Sequence, residues 1–203
     1  MIREYCGIIK ADEIEINQKE IERRLGGCRD RGDAVFEECR KALLEAAVCR
    51  YALVKTEVVV TENTCCFDTF SIESRDLTKN LGGCDEAWLM GVTIGPGVDR
   101  LLARLAVKSP AKHFITDAYA SALVEALADK AEELVKTAEK TNSGVSESRT
   151  RPRYSPGYGD CRIENQRGLL ERLRAKKRLG ISLDEACFMK PVKSITAIIG
   201  VRP

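Results

Sequence analysis

Hydrophobic positions along the chain switch between two periods, and the switches outline its elements. Ile8 to Ile16 (IIKADEIEI) alternates enough to predict a short strand. Asn17-Gln18-Lys19-Glu20 then opens a helix through Leu25, which Gly26-Gly27 stops. Asp33 has the chemistry of an N-cap for a helix that turns Phe36, Leu43, Leu44 and Ala47 inward. Ala52 to Thr61 (ALVKTEVVVT) is rich in β-branched residues and reads as a strand, with Thr61-Glu62-Asn63-Thr64 as its turn. Residues 66–73 are a second strand candidate. Ser74 or Asp76 starts a short helix ending at Gly82-Gly83, and Ala87 to Ile94 (AWLMGVTI) is apolar enough for a strand covered on both faces.

Gly95-Pro96-Gly97 breaks the chain and hands it to a helix carrying Val98, Leu101, Leu102 and Leu105. Pro110 suits the first turn of the longest helix, which runs to about Lys140. Its apolar stripe is Ile115, Tyr119, Leu123, Leu127, Ala131 and Leu134. Residues 141–152 form a polar connector, followed by a basic helix from Ile163 to about Leu179. Ser182-Leu183-Asp184-Glu185 has the pattern of a capping box opening a helical turn, and Ser194 to Val201 (SITAIIGV) is a final strand. Strands come as neighbours as well as in alternation with helices. The fold class is therefore α+β: a mixed, largely antiparallel sheet packed with helices, one of them long, over about 110–140. We expect a single domain over residues 1–203, with a strand-helix segment at 1–32.

Charge and composition exclude several functions. The 203 residues hold 33 Lys and Arg against 31 Asp and Glu, a net charge of +2. So near a balance leaves no basic excess for phosphate backbones, and no nucleic acid is expected as partner. No apolar run of about 18 residues occurs, so no membrane partner is expected. The charged N-terminus lacks the apolar core of an export signal, which points to the cytoplasm. His113 is the only histidine, so one chain cannot assemble a metal centre from several imidazoles. The nine cysteines include no Cys-x-x-Cys pair and read mainly as buried thiols. Cys65-Cys66 is the pair that could serve redox chemistry or a metal.

Two stretches could carry chemistry. Arg151-Pro152-Arg153-Tyr154-Ser155-Pro156-Gly157-Tyr158-Gly159-Asp160 holds two prolines and two glycines in ten residues, which excludes regular helix or strand. A stiff loop results, exposing backbone amides beside Arg153 and Tyr158. A guanidinium fork takes a carboxylate and a phenol face takes a heterocycle or a cation, so the loop suits a small zwitterion with an aromatic part. The same composition also serves a connector whose Arg and Tyr face water. On the long helix, Asp117, Ser121 and Glu125 recur every four residues among Ala118, Ala122 and Ala126. That strip is either a ligand-facing edge or the wet margin of an amphipathic helix. Gly95-Pro96-Gly97 could present amides to an anion or simply turn the chain. Arg167, Arg172, Arg174, Lys176, Lys177 and Arg178 form a basic face without interleaved aromatics, solvated or docked on an acidic partner.

Arg153-x-Ser155-Pro156-Gly157-Tyr158, with the helix Ile115 to Val135 before it and Lys190-Pro191-Val192-Lys193-Ser194-Ile195-Thr196-Ala197-Ile198-Ile199-Gly200 after it, resembles the activation domain of cobalamin-dependent methionine synthase. The likeness is closest to free-standing forms of that domain and runs from about Phe114 to Gly200. It implies an S-adenosylmethionine site in which Arg153 meets the methionyl carboxylate and the Ser155 backbone lies beside the ligand, with Gly157 in the same loop. Tyr158 would face the adenosyl part or a corrinoid interface, and Glu125 the amino group or sulfonium. The family loop usually has alanine where Ser155 stands. The full-length enzyme continues past the segment matching Ser194–Gly200 and supplies further ligand contacts there, and an acidic contact near the family domain's start has no counterpart here. The resemblance implies no catalytic side chain and no resident metal. Cobalamin would come only through a partner, a separate cobalamin-binding methyltransferase subunit such as methionine synthase, reduced by an electron donor such as a flavodoxin or ferredoxin. The implied role is reductive methylation of that cobalamin, in methionine biosynthesis. A non-catalytic regulatory protein that keeps the fold, and a thiol-based redox or metal protein, are the alternatives.

Overall fold

A computed structural model describes residues 4–27, 33–143 and 149–203. Its centre is β2 (Cys49–Val60), a strand long enough for one edge to serve two partners. β1 (Glu4–Ile9) pairs with Cys49–Val54 on that edge, and β3 (Thr64–Phe67) pairs with Val58–Val60. β4 (Ser71–Glu73) extends β3 outward. On the opposite edge lies β5 (Glu86–Thr93), and beyond it β8 (Ser194–Val201). All these pairings are antiparallel, as the closely spaced strands predict.

Both faces of the sheet are covered, which explains the unbroken apolar run of β5. Leu53, Trp88, Met90, Val92, Ala197 and Ile199 face one layer of helices: α1 (Gln18–Arg24), α2 (Ala34–Ala46), α4 (Pro96–Lys108) and α5 (Pro110–Ser143). Ala52, Val54, Ala87, Leu89 and Ile198 face the other. There α3 (Arg75–Asn80), α6 (Gln166–Arg172) and α7 (Ala175–Arg178) contribute Leu77, Leu169 and Ala175. Ser74 caps α3, its Oγ accepting the Leu77 N–H at 3.0 Å. Asp33 sits at the N-cap of α2, but its side chain makes no capping bond.

Four expectations need correction. The strand pattern to Ile16 ends at Ile9, opposite Cys49, where β2 begins and pairing partners run out; a single 3₁₀ turn at Ala11–Glu13 follows. Residues 66–73 are not one strand. Thr64–Phe67 and Ser71–Glu73 fold back on each other as β3 and β4. The basic helix over 163–179 is broken at Arg174, which takes a left-handed φ of 52°. Residues six apart lie roughly 120° apart around a continuous helix. The break instead brings both Leu173 and Leu179 onto Gly91, where a Cβ would meet their Cδ1 atoms at 3.0 and 2.9 Å. Ser182–Glu185 does not open a helix either: β6 (Ser182–Leu183) and β7 (Met189–Lys190) form a hairpin. Asp184 closes its turn, accepting the Ala186 and Phe188 N–H groups at 3.1 and 2.9 Å.

Along α5 the apolar stripe runs through Val135 and not Leu134, which is half turned to solvent, because steps of four from Ile115 lead to 135; one step further, Glu139 is buried too. Ala120, Val124 and Ala128 are buried as well, so α5 is covered over a wide arc. Among the described residues no helix is long and apolar enough to cross a membrane.

Candidate functional site

After the connector, the chain runs along the free edge of β8. Thr150 bridges Val201, and Tyr154 exchanges backbone hydrogen bonds with Ile198 at 2.9 and 2.8 Å. Strand alternation then sends Tyr154 toward one face of the sheet and Arg153 toward the other, where α5 lies. Arg153 Nη1 donates to Asp129 Oδ1 at 2.5 Å and to Glu132 Oε2 at 3.4 Å, and Nη2 donates to Glu125 Oε2 at 3.0 Å. Spacings of four and seven put these acids on one side of α5. Burial alone would lower the Arg153 pKa. The hydrogen bond donated to Asp129 and the charges of Asp129, Glu125 and Glu132 more than offset it, raising the pKa above its ordinary value.

A guanidinium has five N–H donors. The three acids use both on Nη1 and one on Nη2. Nε–H and one Nη2–H find no acceptor among the described residues, so two donors are left over.

A second cation meets the same helix. Lys193 Nζ lies 2.8 Å from Asp117 Oδ1 and donates to Ser121 Oγ at 2.7 Å. The strip of Asp117, Ser121 and Glu125 thus continues to Asp129 and Glu132 and fastens two segments of the C-terminal half. Asp117 and Ser121 are occupied by Lys193, and only Glu125 of the three lines the cavity beside the loop.

That cavity measures about 680 Å³. Glu125, Arg153, Ser155 and Tyr158 all line it, so the structure brings four of the five expected site residues to one hollow. Gly157 is not in its wall; with φ of 96° it supplies the turn of the loop and donates its N–H to Cys161 O at 2.8 Å. Pro156, Ile163, Phe188, Val192 and Ile195 give apolar surface, and Gln166, Asp184 and Thr196 polar groups. Tyr158, Phe188 and Val192 stand exposed at 69%, 58% and 59%.

Asp129 and Glu132 are readable in the sequence by counting one and two turns on from Glu125. Phe188 and Gln166 have no such signal, because their positions depend on the β6–β7 hairpin. Gln166, itself buried, hydrogen-bonds the Cys187 carbonyl and ties α6 to that hairpin.

Other candidates serve the fold. Cys65 and Cys66 are neighbours on a strand and point to opposite faces. Burial pushes the Cys65 thiol up to about 12, with a smaller contribution from neighbouring cysteines, while Cys66 is exposed. His113 Nδ1 lies 3.0 Å from the Leu102 carbonyl. A Cβ on Gly97 would collide with the Ala46 carbonyl, so Gly95-Pro96-Gly97 is a packing turn between α4 and α2. Arg172 and Arg178 pair with Glu4, and Arg172 also with Asp68. No three His, Cys, Asp or Glu side chains group as metal ligands among the described residues.

No curated protein matches the chain. Among solved structures, the MetH reactivation domain bound to AdoHcy is similar in fold, with a TM-score of 0.75 at 15% identity. The likeness covers 98% of this chain and 78% of that one. The family model for the activation domain of vitamin B12 dependent methionine synthase matches residues 55–203, which include the second half of β2 and all of β5, β8, α5 and the Arg153 loop. The chain belongs to that family of activation domains.

Proposed function

We propose that the chain binds S-adenosylmethionine in the cavity beside the Arg153 loop and supports reductive methylation of cobalamin held by a separate methyltransferase. The observation that carries this reading is the unused donor pair, Nε–H and one Nη2–H, on a guanidinium already oriented by three acids at the cavity wall. A hollow of some hundreds of Å³ with apolar walls and a few convergent polar groups suits a nucleoside-sized ligand. AdoHcy, the ligand of the similar MetH domain, is the demethylated form of this molecule.

In this reading Arg153 holds the carboxylate, Glu125 offers its charge to the ammonium or sulfonium, and the Ser155 backbone and Gly157 turn shape the wall. Bound there, S-adenosylmethionine would supply a sulfonium methyl for cobalamin held by the partner, with AdoHcy as the thioether released. A donor such as a flavodoxin or ferredoxin would supply the electron that this chemistry needs. Since the reduced metal is itself the nucleophile, the chain needs no general base. Its own contribution is alignment and exclusion of water. The exposed apolar rim of Tyr158, Phe188 and Val192 is the face that would meet the cobalamin-binding partner.

Equilibrium dialysis with S-adenosylmethionine, with and without a purified cobalamin-bearing methyltransferase domain, tests the reading. Saturable binding is expected, tighter when the partner is present. No saturable binding in either case overturns it.

A further inference from the structure

The loop from Arg153 to Asp160 is fastened at its start by the β8 bridge and Arg153. Among the described residues, the hydrogen bonds of residues 155–159 stay with near neighbours: Tyr158 N–H donates to Ser155 O at 3.4 Å, Gly157 N–H to Cys161 O at 2.8 Å, Cys161 N–H to Tyr158 O at 3.0 Å and Tyr154 Oη to Tyr158 O at 2.8 Å. Such bonds give the loop a shape without placing it against the sheet. Pro156 and Cys161 are buried, and the Asp160 N–H donates to Asp76 Oδ2 at 3.4 Å, but most of the polar ties at the far end meet on one exposed carboxylate. Asp160 Oδ1 accepts from Ser74 Oγ at 2.5 Å and from the Asp76 N–H at 3.3 Å, and Oδ2 accepts the Arg75 N–H at 2.9 Å.

Those two amides belong to the first turn of α3 and have no acceptor within the helix. The Asp160 carboxylate therefore completes the helix while the helix fixes the loop. α3 is a firm anchor, since Leu77 and Leu81 are fully buried. It also holds the loop's other end: Asn80 Nδ2 donates to Pro152 O at 3.2 Å, and Arg151 Nε donates to Asn80 O at 2.8 Å. One short helix thus brackets the whole loop. Gly159 fits between, at φ of 56°, where a Cβ would collide with the Asp76 carboxylate.

We propose that Asp160 is a positioning residue of the site: by tying the loop to Ser74 and the α3 amides it sets Ser155 and Tyr158 against the cavity without touching ligand. The proposal rests on the cavity being the S-adenosylmethionine site. Three or more hydrogen bonds to one ionised group are strong enough that their loss should be visible in affinity. The hydrogen bond from Ser74 first, and the α3 amides after it, hold the Asp160 carboxyl below its ordinary range, so it stays ionised at neutral pH.

Asp160→Asn is the sharp variant, because one carboxylate oxygen becomes an amide facing donors. We expect S-adenosylmethionine affinity to fall about tenfold, and Tm by no more than about 4 °C. Exchange of the Gly157 and Cys161 amides should accelerate. Ser74→Ala should cost a similar factor, and the double variant little more than either alone, since both remove the same tie. A merely structural role would lower Tm and leave the affinity of the folded protein unchanged. Wild-type affinity in Asp160→Asn, unaltered amide exchange, or simple multiplication of the two losses overturns the proposal. Absence of binding by the unaltered chain overturns the ligand reading itself, and this proposal with it.

Discussion

Replacing Arg153 by lysine separates charge from geometry. A lysine ammonium keeps the positive charge but offers three donors instead of five. Glu125, Asp129 and Glu132 approach the guanidinium at 3.0, 2.5 and 3.4 Å, and they would take all three. Nothing is then left for a ligand carboxylate. Two charge-assisted hydrogen bonds of about 1.5 kcal/mol each amount to about 3 kcal/mol, or roughly a hundredfold in Kd. Stability should change little. Glu125 and Asp129 are 42% and 67% exposed, so solvent screens their interaction, and Glu132 keeps Lys136 at 2.6 Å.

The assay is calorimetric titration of the chain and Arg153→Lys with S-adenosylmethionine and with its decarboxylated analogue. The unaltered chain should prefer the carboxylated ligand by about a hundredfold, while Arg153→Lys should bind both with nearly equal, weak affinity. If the variant keeps the full preference, Arg153 does not hold the carboxylate and the assignment of the fork is wrong.

Three further outcomes follow from the geometry. Glu139 is buried, accepts Trp88 Nε1–H at 2.7 Å and lies 2.9 Å from the buried Lys55, whose other partner is Glu86. Glu139→Leu should cost about 3–5 kcal/mol in urea unfolding, as expected when half of a buried ion pair is removed; a loss below about 1 kcal/mol would show that the network contributes nothing. Cys6 and Cys66 should react with a thiol reagent at pH 8 in the folded protein, whereas Cys49 and Cys65, pushed up to about 12 mainly by burial, should react only on unfolding. Early modification of Cys65 would contradict its placement in the core. The carboxyl of Glu4 lies below its ordinary range, chiefly through the hydrogen bond from Arg178; for Asp68 burial pushes upward, but the hydrogen bonds from Arg172, Thr56 and Thr69 and the Arg172 charge together outweigh it and leave the carboxyl low. Folded values below unfolded ones mean stability that is present above the ordinary carboxylate range and lost as pH falls through the folded values. Arg172→Ala should therefore flatten the acid limb of the stability curve, and an unchanged limb would refute the pairing.

How much was legible follows from what each feature depends on. β5 could be read from Ala87–Ile94 because a strand covered on both faces must be apolar at every position, and that is a local property. The break at Arg174 could not, because it answers to Gly91, a residue on another element whose missing side chain admits Leu173 and Leu179 together. Arg153 and Tyr158 announced themselves through the prolines and glycines around them. The acids that orient Arg153 were half visible: Glu125 through its spacing, Asp129 and Glu132 only once the guanidinium is known to reach that side of α5. Asp160 carried no sequence signal at all, since its partners lie 84 to 86 residues away.

The two cations on α5 show why the site needs the long helix. Lys193 takes Asp117 and Ser121, and Arg153 takes Glu125, Asp129 and Glu132. From Asp117 to Asp129 is about 18 Å along a straight helix. Lys193 belongs to the segment that forms one wall of the cavity, through Lys190, Val192 and Ser194, and Arg153 to the loop that forms the other. Both walls are thus measured off the same rod, and the step of four residues between acids sets their separation. A shift of either segment by one turn would leave a cation unmatched at one end and crowd the other.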